Sequence, residues 1–241
     1  MSLEAQTLSL ADQQEYHGQP FPLALEVSAG NLDDACAWAR DHAAELDAQA
    51  ATHGAVLLRG LPLASPDDFD AIVSAFGFLN FSYDDSLSNA YRINYTPRVF
   101  SANEAPPEVT IFLHHEMAQT PSPPGKLFFF CQTAPAKGGA TPICRSDILW
   151  ERLVEQRPGF ADDCKNKGLK YSNVMPAEAD KKSGMGRSWK STFSAETREA
   201  AEARMTSLGY KWQWQPNGDL RATTPVLPAV RDLDDGRSSF F

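Results

Sequence analysis

Two apolar segments near the middle of the chain constrain its fold more than any other feature of the sequence. Val109 to Met117 and Lys126 to Thr133 both have the length and composition of β-strands, and a Pro-Pro-Gly turn at 123–125 separates them. The second segment contains a nearly continuous apolar run from Leu127 to Cys131, which is typical of a buried strand. We therefore expect the centre of the chain to contribute two strands, the second of them buried.

Helices, a strand and a hairpin are predicted on both sides of this pair. A short apolar run at 55–58 predicts a strand, and the Trp-rich stretch 210–222 with its Pro-Asn-Gly-Asp turn predicts a β-hairpin. Helix starts are predicted at four positions: Asn31, Ser65, Ser146 and Ser194. The sequence has no internal repeat and no Pro/Ser-rich linker, so we expect one α+β domain, mainly β, over residues 1–241.

Charge and composition exclude several classes of partner. The formal net charge of −9 argues against nucleic acid, and no apolar run approaches the roughly 20 residues that span a bilayer. The acidity is concentrated in residues 1–50, which carry nine acidic residues and one basic residue and which we expect to be largely helical. The N-terminus lacks a signal-peptide pattern, and the four cysteines have no metal-site spacing. These features predict a cytoplasmic protein without a nucleic-acid or membrane partner.

The triplet His114-His115-Glu116 is the main candidate for chemistry. On a strand, residues two apart point to the same face, so His114 and Glu116 converge while His115 points to the other face. A histidine and a carboxylate are two of the three ligands in the two-histidine, one-carboxylate site of non-haem Fe(II) enzymes. The same triplet fits a histidine that is hydrogen-bonded to a carboxylate in a half-buried sheet, and the triplet alone does not separate these interpretations.

A long irregular loop precedes the triplet. Residues 79–107 are rich in serine, asparagine, proline and aromatic residues, and so long a connection within a domain is typical of lids and binding loops. We predict a lid over the pocket here. Arg98, Asn103 and Glu104 are candidates for contacting the charged groups of an amino-acid substrate, with solvated loop residues as the alternative interpretation.

The stretch from Tyr95 to Leu153 resembles the Fe(II)- and 2-oxoglutarate-dependent dioxygenases of the taurine dioxygenase (TauD/TfdA-like) family. The matching features are the strand with His114-x-Glu116, the Pro-Pro-Gly turn before an apolar strand, and the Gly-Gly-Ala-Thr-Pro segment at 138–142 before a helix. Three further segments look most like the SyrP-like branch, whose hydroxylases act on amino-acid-derived substrates: residues 101–107, residues 189–193 and the Trp-rich hairpin.

This resemblance implies a fold, a site and a reaction. The fold would be a distorted double-stranded β-helix, a clavaminate synthase-like jelly roll with flanking helices. His114 and Glu116 would bind Fe(II), and the Thr141 hydroxyl would bind a carboxylate of 2-oxoglutarate, although a threonine in such a turn also bonds to backbone groups. The implied reaction uses 2-oxoglutarate and O2 to hydroxylate an unactivated C–H bond of a small molecule, a free or carrier-bound amino acid, with release of succinate and CO2.

One ligand of the family has no counterpart in the sequence. The family carries a distal histidine and a following arginine near its carboxyl terminus, yet no histidine follows His115. The chain also ends on Phe240-Phe241, which resembles the start of a family strand. We therefore expect a fold that is incomplete at the C-terminus and nearly inactive by itself, because two ligands hold Fe(II) weakly. The open alternatives are a non-catalytic jelly-roll binding protein, an inactive fragment and, last, hydrolytic zinc chemistry.

Overall fold

The computed structural model of the chain describes residues 4–82, 86–90, 92–102, 108–180 and 186–241. The chain divides into two compact units: unit 1 holds residues 1–80 and 128–139, and unit 2 holds residues 81–127 and 140–241. Because unit 1 takes in a second, short stretch, the chain passes between the units three times. No single linker therefore separates them.

Unit 1 contains a three-stranded sheet and a separate hairpin. The strands are β1 (Ala5–Leu8), β2 (Gln14–Tyr16), β3 (Gln19–Phe21), β4 (Leu23–Val27) and β5 (Val56–Arg59). The sheet has the order β1-β4-β5, with β4 antiparallel to β1 and parallel to β5, and β2 pairs with β3. The strand predicted at 55–58 is thus confirmed as β5.

The prediction of a largely helical segment at 1–50 is wrong for its first half. Residues 5–27 form the first four strands. Gly18 and the prolines at 20 and 22 are unsuited to a helix interior. The apolar residues of β4 pair with β5 instead, since β4 lies in the centre of the sheet and four of its five side chains are buried.

Both predicted helices of unit 1 begin where expected. Helix α1 spans Leu32–His53 and α2 spans Pro66–Ala75. The Asn31 side chain accepts a 2.9 Å hydrogen bond from the third helical amide of α1, and Ser65 forms a reciprocal capping box in α2. Together these elements enclose one core cluster: Leu23, Leu25, Val27, Ala35, Trp38, Ala39, Leu46 and Ile72.

The described part of unit 2 combines four helices with a second three-stranded sheet. The helices are α3 (Ser146–Gln156), α4 (Pro158–Lys167), α5 (Trp189–Phe193) and α6 (Arg198–Ser207). The strands are β6 (Ser172–Met175), β7 (Lys211–Trp214), β8 (Leu220–Thr223), β9 (Val230–Asp232) and β10 (Ser238–Phe240). The sheet is antiparallel in the order β6-β8-β7, and β9 pairs with β10. None of the described helices is both long and apolar enough to cross a membrane.

Two of the three local predictions in unit 2 are confirmed. The Trp-rich hairpin is β7-β8, and the helix expected from Ser146 is α3. The helix expected to be capped by Ser194 begins three residues later, because Thr197 caps α6 by accepting a hydrogen bond from the Ala200 amide. Ser194 instead ends α5 in the left-handed backbone region, with φ of 49°.

The two central segments predicted as strands are irregular. Neither Val109–Met117 nor Lys126–Thr133 forms a regular strand, and Phe112 and Phe129 are 79% and 65% exposed. A strand needs a neighbour that accepts and donates its backbone hydrogen bonds, and no strand of the described residues pairs with either segment. The prediction of two central strands, the second of them buried, is therefore wrong for this structure.

The fold class is confirmed only at its coarser level. Helices and small sheets occur together, as expected of an α+β protein. Among the described residues, helices hold more of the chain than strands, so a mainly β content is not confirmed. The described sheets do not confirm a double-stranded β-helix.

Candidate functional site

His114 and Glu116 lie close together, and His115 points elsewhere. Nε2 of His114 is 3.9 Å from Oε2 of Glu116, whereas Nε2 of His115 is 2.6 Å from the Ser146 hydroxyl. The His115 ring also packs against the Phe241 ring, with 5.2 Å between ring centres. The alternating directions expected of an extended chain are present although this segment is not a regular strand. We refer to His114 and Glu116 as the His-Glu pair.

Hydrogen bonding leaves one nitrogen of His114 free to bind a metal ion. Nδ1 lies 2.7 Å from the Phe112 carbonyl oxygen and must carry the hydrogen, because a carbonyl oxygen only accepts. In the neutral ring, Nε2 then has an available lone pair, and this is the atom nearest Glu116. Metal-binding histidines commonly donate their other ring N–H to a backbone carbonyl, which fixes the ring. The side chain is 58% exposed, so an ion can reach Nε2.

His115 has a different environment from its neighbour. Burial lowers the pKa of His115, and the charges of His114 and Arg231 lower it further. The ring is therefore neutral at pH 7 and serves as a packing and hydrogen-bonding group beside α3.

A tight turn that begins at Met117 fixes the backbone next to Glu116. Met117 has a positive φ of 59°, and its side chain is 2% exposed within the core cluster of unit 2. Left-handed backbone is unfavourable for a residue other than glycine, so packing must offset a cost of about 1 kcal/mol or more. The amide and hydroxyl of Thr120 both donate to the Met117 carbonyl, at 3.0 and 2.9 Å. Nothing in the sequence predicted this role for Met117.

Glu116 also pairs with Arg92, an arginine that was not predicted from the sequence. Nη2 of Arg92 donates to both carboxylate oxygens of Glu116, at 3.2 and 3.1 Å, and the two side chains are 10% and 20% exposed. Nη1 of Arg92 donates to the Ser101 carbonyl at 3.3 Å, and the guanidinium carbon lies 5.4 Å from the centre of the Phe100 ring. Within the 79–107 loop, no sequence pattern distinguishes Arg92 from Arg98.

The structure describes two of the four other predicted site residues, Arg98 and Thr141. Arg98 is exposed, and Asn103 and Glu104 lie outside the described residues. Thr141 is exposed, and no hydrogen bond between described side chains joins it to the His-Glu pair. The substrate and cofactor roles of these four residues therefore remain predictions.

Part of the predicted lid is fixed in the interior of unit 2. Residues 86–89 are all buried. Nη1 of Arg187 donates to the carbonyls of Ser86 and Ser88 at 2.8 and 3.3 Å, and the Arg187 amide donates to the Asn89 carbonyl at 3.0 Å. A lid as predicted over 79–107 would therefore not include residues 86–89.

A buried ion cluster supports the start of α3. Asp147 accepts a 2.8 Å hydrogen bond from Nε of Arg145 and pairs with Arg237, which lies just before β10. Burial alone would raise the pKa of Asp147, but the hydrogen bond and charge of Arg145, with hydrogen bonds from the Ile148 amide and Arg237, lower it to about 2. The cluster ties the β9-β10 hairpin to the helix whose first residue, Ser146, contacts His115.

The His-Glu pair has the donor chemistry for two of the three protein ligands of a non-haem iron site. Among the described residues, no group of three or more His, Cys, Asp or Glu side chains could hold a metal ion. Adjacent ligands about 2.1 Å from an octahedral ion stand about 3 Å apart, so the 3.9 Å separation would have to close by about 1 Å. One imidazole nitrogen and one carboxylate nevertheless match two of the three protein ligands.

Comparison with known proteins identifies the family. The model of the family described as "Taurine catabolism dioxygenase TauD, TfdA family" matches residues 17–222, a range that includes the His-Glu pair and Thr141. A clavaminate synthase-like protein of Arabidopsis thaliana is 36% identical over 236 residues, which cover 95% of this chain and 71% of the relative. The dapdiamide synthesis protein DdaC of Enterobacter agglomerans is 25% identical over 178 residues, which cover 74% of this chain and 50% of the relative. The chain therefore belongs to the TauD/TfdA family of 2-oxoglutarate-dependent dioxygenases.

Proposed function

We propose that the His-Glu pair is the iron-binding part of an oxygenase that hydroxylates an unactivated C–H bond of a small, amino-acid-derived substrate. The observation that carries this proposal is the 3.9 Å approach of His114 Nε2 to Glu116, with the imidazole held by the Phe112 carbonyl. When bound, Fe(II) and 2-oxoglutarate would supply the oxidising chemistry with O2, releasing succinate and CO2.

The residues of the chain would divide this work among them. The His-Glu pair would hold Fe(II), and Thr141 would bind a carboxylate of 2-oxoglutarate. The proposed substrate contacts are Arg98, Asn103 and Glu104. The name of the relative DdaC places that protein in dapdiamide synthesis, which supports an amino-acid-related substrate here.

We also propose a fold and a cellular location for the protein. Family membership supports a jelly roll as the fold of the protein. The four cysteines are all free thiols in the structure, which supports the reducing conditions of the cytoplasm.

The first test compares Fe(II) binding by the whole chain with binding by two variants, under anaerobic conditions. We expect weak, saturable binding by the wild-type protein, and a loss of affinity of at least about tenfold for both His114→Ala and Glu116→Gln, because each removes a ligand. Calorimetric titration measures the affinity, and added 2-oxoglutarate should then give a visible charge-transfer band.

A matched control is available in unit 1. Nδ1 of His42 lies 2.8 Å from the Trp38 carbonyl oxygen, so His42, like His114, is hydrogen-bonded to a backbone carbonyl. Because His42 is not part of the proposed site, His42→Ala should leave Fe(II) affinity unchanged. Equal binding by wild type and both site variants would contradict the proposal. Fe(II) binding with neither a charge-transfer band nor oxygen uptake would favour a non-catalytic binding protein.

A further inference from the structure

We infer that Arg92 is a resident cation at Glu116 that competes with the divalent metal ion for this carboxylate, an inference that rests on the function proposed above. Nη2 of Arg92 lies 3.2 and 3.1 Å from the two oxygens of Glu116. A donor placed between both oxygens takes the position from which a second cation would contact them. The guanidinium thus places a positive charge against the two oxygens that a metal ion at Glu116 would use.

The separation within the His-Glu pair agrees with this competition. Nε2 of His114 and Oε2 of Glu116 are 3.9 Å apart, whereas two adjacent ligands of one octahedral ion stand about 3 Å apart. The carboxylate therefore lies closer to the guanidinium than to the imidazole. To share an ion with His114, Glu116 would have to bring an oxygen about 1 Å closer to the imidazole, and both of its oxygens are bonded to Arg92.

Low exposure makes the competition strong. The side chains of Arg92 and Glu116 are 10% and 20% exposed, so water screens their charges poorly. The bond to the Ser101 carbonyl and the contact with the Phe100 ring hold the guanidinium near the site even when the carboxylate turns away. A divalent ion bound at Glu116 would then lie close to an unscreened positive charge.

Two roles of Arg92 predict opposite effects on metal affinity. A residue that only positions the carboxylate favours the metal-bound protein, and its loss weakens metal binding. A competing cation stabilises the metal-free protein more than the metal-bound protein, so its loss strengthens metal binding. Two variants separate the effect of the charge of Arg92 on metal affinity from the effect of its shape, because lysine retains the charge and glutamine removes it.

The experiment titrates the whole chain with Mn(II), followed by the electron paramagnetic resonance signal of the free ion. We expect Arg92→Gln to bind Mn(II) at least about tenfold more tightly than wild type while its metal-free melting temperature falls. Arg92→Lys should bind with nearly wild-type affinity. Arg221→Gln, which removes an exposed arginine of β8, should change neither quantity.

The outcomes separate this inference from the proposed function. If the wild-type protein binds Mn(II) and Arg92→Gln binds it equally or more weakly, the competition is overturned but the proposed iron site is not. Mn(II) binding by none of the proteins would overturn both. If Arg92→Gln does not fold, the inference is tested on the wild-type protein. The NMR signals of its arginine side-chain nitrogens are followed during a Zn(II) titration. Competition predicts that the Arg92 signal shifts as the ion binds, and an unshifted signal would overturn it.

Discussion

Replacing Asp147 with asparagine is expected to lower the free energy of unfolding by about 3–5 kcal/mol. The Asp147 side chain is 6% exposed and is shared by Arg145, whose side chain is 4% exposed, and by Arg237. Asparagine has nearly the same shape but no charge, so Arg145 would face an amide in place of a carboxylate. Removing one partner of a buried ion pair is costly because the remaining charge stays away from water.

The measurement is urea unfolding followed by tryptophan fluorescence, since Trp150 lies in α3 and is 8% exposed. Asp235→Asn is the matched control. Asp235 contacts Nη2 of the same Arg237 at 2.6 Å, but its side chain is 50% exposed, so its loss should cost less than about 1 kcal/mol. Equal losses in the two variants would show that burial of the Asp147 cluster does not determine its contribution.

The same carboxylate predicts how stability depends on pH. Its pKa is lowered in the folded protein from the ordinary 3.8 to about 2, so the charged form stabilises the fold above about pH 4. This contribution, about 2 kcal/mol, decreases as the pH falls from about 5 to 2. The difference in unfolding free energy between wild type and Asp147→Asn should therefore narrow by that amount between pH 6 and pH 2. A difference that stays constant over this range would contradict the prediction.

The elements that the sequence predicted are those whose signals are local. Asn31 and Ser65 are followed by the polar residues that caps require, and the hairpin β7-β8 is set by its own turn. The errors involve pairing between distant segments. β4 forms because residues 56–59 pair with it. The apolar segment at 126–133 stays irregular because no described strand pairs with it. An apolar pattern predicts that a segment can be a strand, whereas its neighbour decides whether it becomes one.

The candidate site was predictable to the same extent. The alternation of side-chain directions along an extended chain correctly predicted that His114 points towards Glu116 and that His115 points away. Arg92 was missed because it is 24 residues from Glu116 in sequence and reaches it through an irregular loop. Met117 was missed because its role depends on a positive φ, which methionine does not signal.

Met117→Ala is expected to lower both the free energy of unfolding and the affinity for Mn(II). The Met117 side chain is 2% exposed in the core of unit 2, so truncation should cost about 2–5 kcal/mol. That packing also holds the left-handed backbone of the residue directly after Glu116. Without it, alanine can relax to a more favourable φ and move the carboxylate away from His114. We therefore expect Mn(II) affinity to fall by about tenfold, within the range for groups that orient metal ligands.

Met205→Ala is the variant that separates positioning from stability. Met205 is fully buried in the same core cluster, but it lies on α6, whereas Met117 adjoins Glu116 directly. Both variants should lose similar amounts of stability in urea unfolding, and only Met117→Ala should lose Mn(II) affinity at temperatures where both remain folded. If both variants bind Mn(II) equally well, the turn at Met117 contributes only to the core. If both lose affinity equally, metal binding depends on the overall stability of unit 2, and Met117 has no separate role in placing Glu116.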